Sequence, residues 1–302
     1  MHPVAIFIRQ GGEEDSFVAD ALLDRRLENW CQTSERRIPD PVAAAQFIER
    51  IGFATLYPVS PEIPNLYHAH MGDPDAKTDS GHDSPSGDVY SWRWTLGRRN
   101  VAFYSAIVRN RPTWVSWPLL PAVLRLRGDV RDPADLHAVG ELSGHALRVA
   151  QALESSGGVL STGDLRRAAG FPTGKEHRAA YLKAVGELDT RLLLAKVFSL
   201  DDDEMYHALV RNRYPDYIVA AGAITREDAL AQLLTAYLPA AVYTVPTVLA
   251  KDLRLPEPDL RTALDHLVTT GHAQTITRPN QRGNCYLSDL IPKTCPTRLG
   301  ER

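Results

Sequence analysis

Cysteine is scarce in this 302-residue sequence, and long apolar runs are missing. The three cysteines are Cys31, Cys285 and Cys295, an odd number without Cys-x-x-Cys spacing, so the sequence predicts neither a disulfide framework nor a zinc knuckle. A membrane helix needs about 18 consecutive apolar residues, and no segment supplies them. The opening residues lack the basic region of a secretory signal. We therefore expect no membrane partner and a location in the reducing cytoplasm.

Acidic residues are also missing from one segment, residues 89–128, in a chain whose net charge is -3. Its basic residues are Arg93, Arg98, Arg99, Arg109, Arg111, Arg125 and Arg127, and its tryptophans are Trp92, Trp94, Trp114 and Trp117. A basic and aromatic segment in an acidic chain indicates a local anion or a stacking partner, although tryptophans are equally typical of a core. We expect Arg93, Arg98 and Arg99 to contact DNA phosphates.

The second half of the chain repeats one order of elements. From residue 136 to 210, apolar spacing and break residues predict a helix, a short helix, a longer helix over 176–190 and a β-hairpin. The same order follows over 225–287. It is the order of a winged helix-turn-helix, and its repetition indicates tandem units. The helices predicted over 17–30 and 40–51 are interpreted as part of a third, modified copy.

The predicted fold is therefore α+β and mainly helical, built from tandem winged helix-turn-helix units, with three expected. The predicted domains are a modified N-terminal region over 1–130, a second winged helix over 131–215 and a third over 216–302. In such a unit the third helix commonly enters the DNA major groove, while the hairpin wing contacts phosphates.

Two of the predicted units carry basic side chains at these positions. Arg278 and Arg282 lie at the wing tip of the last unit, so we expect them to contact DNA. The third helix of the middle unit and its approach offer Lys175, Arg178 and Lys183. The wing tip of that unit, residues 201–204, is entirely acidic and should repel DNA, so one copy is expected to be a packing or interaction module.

The local structure between residues 68 and 108 is less regular. Residues 68–88 are predicted to form a polar loop, and its histidines and aspartates allow a metal site as an alternative to a solvated loop. No helical His-x-x-x-His spacing supports a metal, so we predict neither a metal nor a cofactor. Alternation over 90–94 indicates a strand that puts Trp92 and Trp94 on one face, and residues 101–108 are helix-like.

Residues 51–59, Ile-Gly-Phe-Ala-Thr-Leu-Tyr-Pro-Val, resemble the Leu-Gly-aromatic-x-Gln-x-Asp/Gln-Pro-Val segment of the AlkZ/YcaQ winged-helix DNA glycosylases. Trp92-Arg93-Trp94, Tyr104 and the Trp-Pro-Leu-Leu-Pro of 117–121 are similar to the AlkZ-related branch of that superfamily. The resemblance implies three tandem winged helices. It also implies excision of alkylated or crosslinked bases, in some members as self-resistance in producers of DNA-alkylating antibiotics.

The sequence departs from that family at the positions that would act on water. Members of the family use a Gln-x-Gln or Gln-x-Asp pair, and the matching residues are Thr55 and Tyr57, which the resemblance makes the candidate catalytic positions. Threonine and tyrosine are weaker bases than a carboxylate at neutral pH. Asp40, Glu49 and Glu62 lie nearby in sequence and could substitute, or could be a cap or solvated charges.

Three functions stay open at this point. The first is a DNA-repair protein on the nucleoid, binding double-stranded DNA and excising a bulky alkylated base. The second is a winged-helix DNA-binding or regulatory protein without catalysis. The third is a small-molecule enzyme or drug-binding protein whose planar ligand stacks in an aromatic pocket. The residues predicted for that pocket are Tyr57, Tyr67, Trp92 and Trp94.

Overall fold

The computed structural model describes residues 13–276 and 284–289. The predicted wing residues Arg278 and Arg282, and Cys295, lie outside these ranges. Within them, the chain is a mixed α/β structure in which helices alternate with three small antiparallel sheets. None of the described helices is long and apolar enough to cross a membrane.

The first third of the chain follows its local capping chemistry. Asp40 accepts hydrogen bonds from the amides of Val42 and Ala43 at 2.8 and 2.9 Å, and Gly52 ends the same helix with a φ of 86°. The three strands pair in the order β1-β3-β2. The elements are α1 (Glu13–Asn29), α2 (Pro41–Ile51), β1 (Phe53–Thr55), α3 (Leu66–Met71), α4 (Pro85–Arg98), β2 (Phe103–Val108) and β3 (Arg111–Val115).

The middle third has an apolar core of its own, which extends from Leu136 to Leu209. A 3-10 turn (Trp117–Leu119), α5 (Leu120–Arg127) and α6 (Pro133–Ala138) lead into it. Its sheet has the order β4-β6-β5. The elements are α7 (Gly144–Ser155), β4 (Val159–Ser161), α8 (Thr162–Ala168), α9 (Lys175–Thr190), β5 (Leu194–Phe198) and β6 (Met205–Leu209).

The last third shares a core with the first, in which Phe53 stacks on Tyr237 with ring centroids 5.6 Å apart. The sheet order is again first strand, third strand, second strand, as β7-β9-β8. The elements are α10 (Val210–Arg213), α11 (Pro215–Ala223), α12 (Arg226–Ala241), β7 (Tyr243–Thr244), α13 (Pro246–Leu253), α14 (Glu257–Thr269), β8 (Ala273–Ile276) and β9 (Cys285–Ser288).

The strand predicted over 90–94 is wrong, because these residues belong to α4. Ser84 caps this helix and Pro85 occupies its first turn. The buried side chains of Trp92 and Leu96 lie four residues apart, which is helical spacing. Trp92 and Trp94 therefore do not share a face.

The helix predicted over 101–108 is also wrong. Residues 103–108 form β2, whose side chains alternate between buried and partly buried positions from Phe103 to Ala106. The strand pairs with β3 from Phe103↔Val115 onward. The predicted loop at 68–88 is shorter than expected, because His68 and His70 lie in α3 and residues 85–88 lie in α4.

The first and last thirds are held together by a buried ion pair. Arg26 Nη1 lies 3.3 Å from Glu62 Oε1, and both side chains are almost completely buried. Glu62 Oε2 accepts hydrogen bonds from the hydroxyls of Tyr237 and Thr244 at 3.1 and 2.8 Å, and Arg26 donates to the carbonyl of Ala241 at 2.7 Å. Every element of this network is hydrogen-bonded, as burial of charge requires.

Candidate functional site around Tyr57

Thr55 lies at the end of β1, opposite Thr113 of β3, and its side chain has no exposure to solvent. Its hydroxyl donates to the carbonyl oxygen of Tyr57 at 2.8 Å and approaches that of Pro64 at 3.4 Å. A hydroxyl held between two backbone carbonyls stabilises the loop after β1. This geometry does not favour the predicted catalytic role of Thr55.

Tyr57, by contrast, points its hydroxyl toward α4 and donates to the carbonyl oxygen of Ser86 at 2.9 Å. Burial raises the pKa of this phenol, and the neighbouring Tyr90 raises it further while Arg93 opposes the shift. Tyr57 is therefore neutral at physiological pH and acts as a hydrogen-bond donor rather than a base.

Tyr104 of β2 faces the same place as Tyr57, and burial raises its pKa to about 12. The positive charge of Arg93 opposes this shift. We call these two tyrosines with Tyr90 and Arg93 the tyrosine–arginine cluster. The helical spacing of Tyr90 and Arg93 (i, i+3) would have shown that they share a face of α4, had the segment been predicted as a helix.

Arg93 is the charged member of the cluster. Its guanidinium carbon lies 3.4 Å from the ring centroid of Tyr90 and 4.8 Å from that of Trp94. Its Nε is buried without a hydrogen-bond partner among the described residues. The cluster thus presents a cation and phenol groups together, a set suited to an anionic or hydrogen-bond-accepting group.

The aromatic pocket predicted from the sequence is divided in the structure. Tyr57 and Tyr67 are neighbours, with ring centroids 6.1 Å apart, but Tyr67 is fully buried and donates to the carbonyl of Lys77 at 2.6 Å. Trp92 is buried against His70 at 4.7 Å. Trp94 packs edge-on against Phe198 of β5 at 5.6 Å. The four rings therefore do not line one pocket but take part in three separate contacts.

Arg98 is occupied by the acidic turn between β5 and β6, residues 201–204, which the sequence predicts as a wing tip. Its guanidinium pairs with the carboxylate of Asp203 and donates to the carbonyl oxygens of Ser199 and Asp202 at 2.7 and 2.8 Å. The wing tip that should repel DNA is folded against α4 instead. Arg98 is consequently not available to a phosphate in this conformation, contrary to its predicted role.

The three carboxylates near the motif in sequence have different environments. Asp40 caps α2, and Glu62 is buried in its pair with Arg26. Glu49 is exposed and lines a cleft with the predicted DNA contact Arg99. Glu49 is therefore the one of these three whose carboxylate has no hydrogen-bond or ion-pair partner among the described residues, but it lies at a different place from Tyr57.

Lys183 lies on the outer face of α9, where Lys175 and Arg178 are also exposed. None of these three side chains forms an ion pair with the described part of the chain. The corresponding helix of the last third, α14, is acidic at Glu257, Asp259 and Asp265. Of these two helices, α9 thus carries exposed basic side chains without an ion-pair partner among the described residues.

The sequence profile of the family described as AlkZ related matches residues 38–203, more than half of the chain. Among solved structures, the Streptomyces sahachiroi DNA glycosylase AlkZ is similar, with a TM-score of 0.51 and 13% sequence identity over 88% of this chain and 69% of that chain. At this identity the likeness concerns the fold. No curated protein sequence matches. The match to the profile confirms the resemblance seen at residues 51–59 and 92–121, and this chain belongs to the AlkZ-related family.

Proposed function

We propose that this protein binds duplex DNA on the nucleoid and excises a bulky alkylated base from it. Membership of the AlkZ-related family and the fold shared with a DNA glycosylase support a role in DNA repair. The observation that carries the DNA-binding part is the open basic face of α9, with Lys175, Arg178 and Lys183 exposed and unpaired within the described chain. Unpaired lysines and arginines supply the counterion-release term that dominates affinity for DNA.

The tandem winged-helix interpretation supports this assignment. Each third of the chain contains helix, strand, helix, helix and two strands, with the first strand paired to the third. We interpret these as winged-helix units within residues 1–130, 131–215 and 216–302. On this interpretation α4, α9 and α14 are the third helices, and α9 is the one that enters the groove.

The turns that we interpret as wings also differ in whether they are available to DNA. The β2–β3 turn places Arg109 2.5 Å from the buried carboxylate of Asp252 in α13, and the β5–β6 turn places Asp203 on Arg98. Both tips are engaged inside the molecule. Arg278 and Arg282, which lie outside the described residues, are proposed to contact phosphates as well.

The tyrosine–arginine cluster is the proposed place of base excision. Tyr57 occupies the second position of the family motif. Its O–H donates to the Ser86 carbonyl, so its phenol oxygen can accept a hydrogen bond from the attacking water and orient it. Arg93 stabilises negative charge on the leaving group or the phosphate. Thr55 supports the backbone beneath them.

A DNA-binding protein without catalysis is the second candidate. Asp40 caps α2, Glu62 is paired with Arg26, and Glu49 lines a different cleft. None of these three carboxylates therefore lies beside Tyr57. Glycosidic bond cleavage ordinarily depends on such a group.

The test separates the two candidates. Duplexes carrying methylated or bulky alkylated purines are incubated with the protein, and abasic sites are revealed by alkaline strand cleavage. Excision predicts cleavage at the adduct that Tyr57→Phe and Arg93→Gln reduce, while gel-shift affinity is retained by Tyr57→Phe. Binding without cleavage at a large excess of protein over every adduct supports the second candidate and rejects excision.

A further inference from the structure

A second site lies where α2 faces the 3-10 turn before α5. Here a cleft of about 430 Å³ is lined by Gln46 and Glu49 of α2, by Arg99 and by Trp117. Small-molecule sites commonly measure about 300 to 1,000 Å³. We call it the α2 cleft. None of these residues belongs to the tyrosine–arginine cluster or to α9, so the α2 cleft requires an explanation of its own.

The α2 cleft has two charged side chains, Glu49 and Arg99, that are not paired within the described fold. Glu49 and Arg99 are exposed, and neither side chain forms an ion pair or hydrogen bond with the described residues. Arg98, one position earlier, is fully engaged with the acidic wing. Opposite charges that line one cleft without pairing leave an acceptor and a donor for a ligand between them.

The indole of Trp117 is fixed in its orientation. Its Nε1 donates to the carbonyl oxygen of Asn100 at 2.8 Å, and the rings of Tyr214 and Tyr217 pack against it at 5.2 and 5.4 Å. The indole is still partly exposed and borders the cleft. A rigid aromatic surface binds a flat ring at a low entropic cost.

We propose that the α2 cleft binds a guanine nucleotide. The base stacks on Trp117, and the Glu49 carboxylate accepts hydrogen bonds from two adjacent N–H groups, N1–H and the exocyclic amine, a pair that adenine does not present. The Gln46 amide borders the same edge, and Arg99 pairs with the phosphate. The same chemistry is offered by a free mononucleotide and by an unpaired guanine in a DNA strand.

Calorimetric titration of the full chain tests the ligand class. We expect saturable binding of guanosine monophosphate, with adenosine monophosphate and guanosine each bound at least about tenfold more weakly, because each lacks one charge-assisted contact. Equal affinity for the two nucleotides, or no saturable binding of either, would overturn the proposal.

Matched variants locate the site. Glu49→Gln should weaken guanosine monophosphate about tenfold while leaving adenosine monophosphate unchanged, and Arg99→Gln should weaken the nucleotide but not the nucleoside. Glu227→Gln and Arg25→Gln are the controls, because both native residues are exposed at a distance in sequence from the cleft. Binding that survives both cleft variants contradicts the assignment.

Oligonucleotides distinguish the source of the guanine. If single strands with an unpaired guanine bind more tightly than the mononucleotide and lose this advantage in Glu49→Gln, the strand is the ligand. If only the mononucleotide responds to Glu49→Gln, the free nucleotide is the ligand. These titrations use undamaged DNA and no base release, so their failure leaves the proposed excision untouched, and failure of excision leaves the α2 cleft untouched.

Discussion

The guanidinium of Arg98 is paired with the carboxylate of Asp203, a residue 105 positions later in the chain. The contact brings the acidic turn between β5 and β6 onto α4. Phe198, the last residue of β5, leads into the same turn and packs on Trp94 and Trp114, with ring centroids 5.6 and 6.1 Å from its own. Two features that the sequence analysis treated separately, a basic segment and an acidic turn, therefore form one internal interface.

Because Arg98 is paired with Asp203, we predict that Arg98 does not contribute to DNA binding. Arg98→Gln should leave the slope of log affinity against log salt unchanged, whereas Lys183→Gln should make it shallower by about 0.9, the value for one phosphate contact. Fluorescence anisotropy with a labelled duplex at several salt concentrations measures both slopes. A shallower slope for Arg98→Gln would mean that the wing leaves α4 when DNA binds.

The buried pair of Arg26 and Glu62 should be a large contributor to stability. Glu62→Ala leaves Arg26 as an uncompensated buried charge and removes an acceptor from Tyr237 and Thr244. We expect a loss of about 3 to 5 kcal/mol in the free energy of unfolding, measured by urea denaturation. Glu227→Ala, on the exposed face of α12, is the control. A loss below about 1 kcal/mol for Glu62→Ala would show that water or rearrangement replaces the pair.

Substitutions at Thr55 and Tyr57 should distinguish a structural role from a catalytic one. Thr55→Val removes the hydroxyl that donates to the Tyr57 carbonyl and keeps the shape, so we expect a stability loss of about 1 to 2 kcal/mol with base release per folded molecule unchanged. Tyr57→Phe should lower base release and change stability less. Loss of release in Thr55→Val at full folding would restore the catalytic role predicted for that position.

His207 makes the stability dependent on pH. Burial lowers its pKa to about 3, and Lys196 adds to the shift. The unfolded histidine, with a pKa of about 6.5, binds a proton that the folded one does not, so stability is full above pH about 6.5 and falls as the pH decreases toward about 3.

The corresponding measurement compares urea denaturation at pH 7.5 and 5. The wild-type chain should lose about 2 kcal/mol more than His207→Gln over this interval, at about 1.4 kcal/mol per pH unit below the unfolded pKa. An equal loss in the two proteins would mean that His207 becomes protonated in the folded state near its ordinary pKa.

Sequence patterns predicted the parts of the fold that depend on neighbours in the chain. The cap at Asp40 and the long helix α9 follow from residues within a few positions of each other. The sheet of the first third was missed, because β1 has three residues and its partner β3 lies almost sixty residues later. The segment around Trp92 and Trp94 was wrongly predicted as a strand, because strand alternation and helical spacing coincide over a few residues.

The position of the candidate site was predictable from the sequence, but the hydrogen-bond partners and surroundings of its side chains were not. The motif at residues 51–59 located Thr55 and Tyr57, yet only the structure shows their different surroundings. The Thr55 hydroxyl is buried against backbone carbonyls, whereas the Tyr57 hydroxyl donates to the Ser86 carbonyl near Arg93 and Tyr104. Whether an arginine is free depends on long-range partners, as Arg98 and Arg99 show with adjacent numbers and different environments. Such long-range pairings produce no periodic pattern in the sequence.

The salt dependence of duplex binding tests the central claim most directly. The wild-type chain is compared with Lys175→Gln/Arg178→Gln/Lys183→Gln, and a triple glutamine variant at Arg25, Arg36 and Arg213, residues outside α9, serves as the matched control for charge. We predict that the α9 variant loses between about two and three units of slope, at about 0.9 per phosphate contact, and that the control changes far less. Equal slopes for wild type and the α9 variant would contradict the assignment of α9 as the helix that contacts DNA.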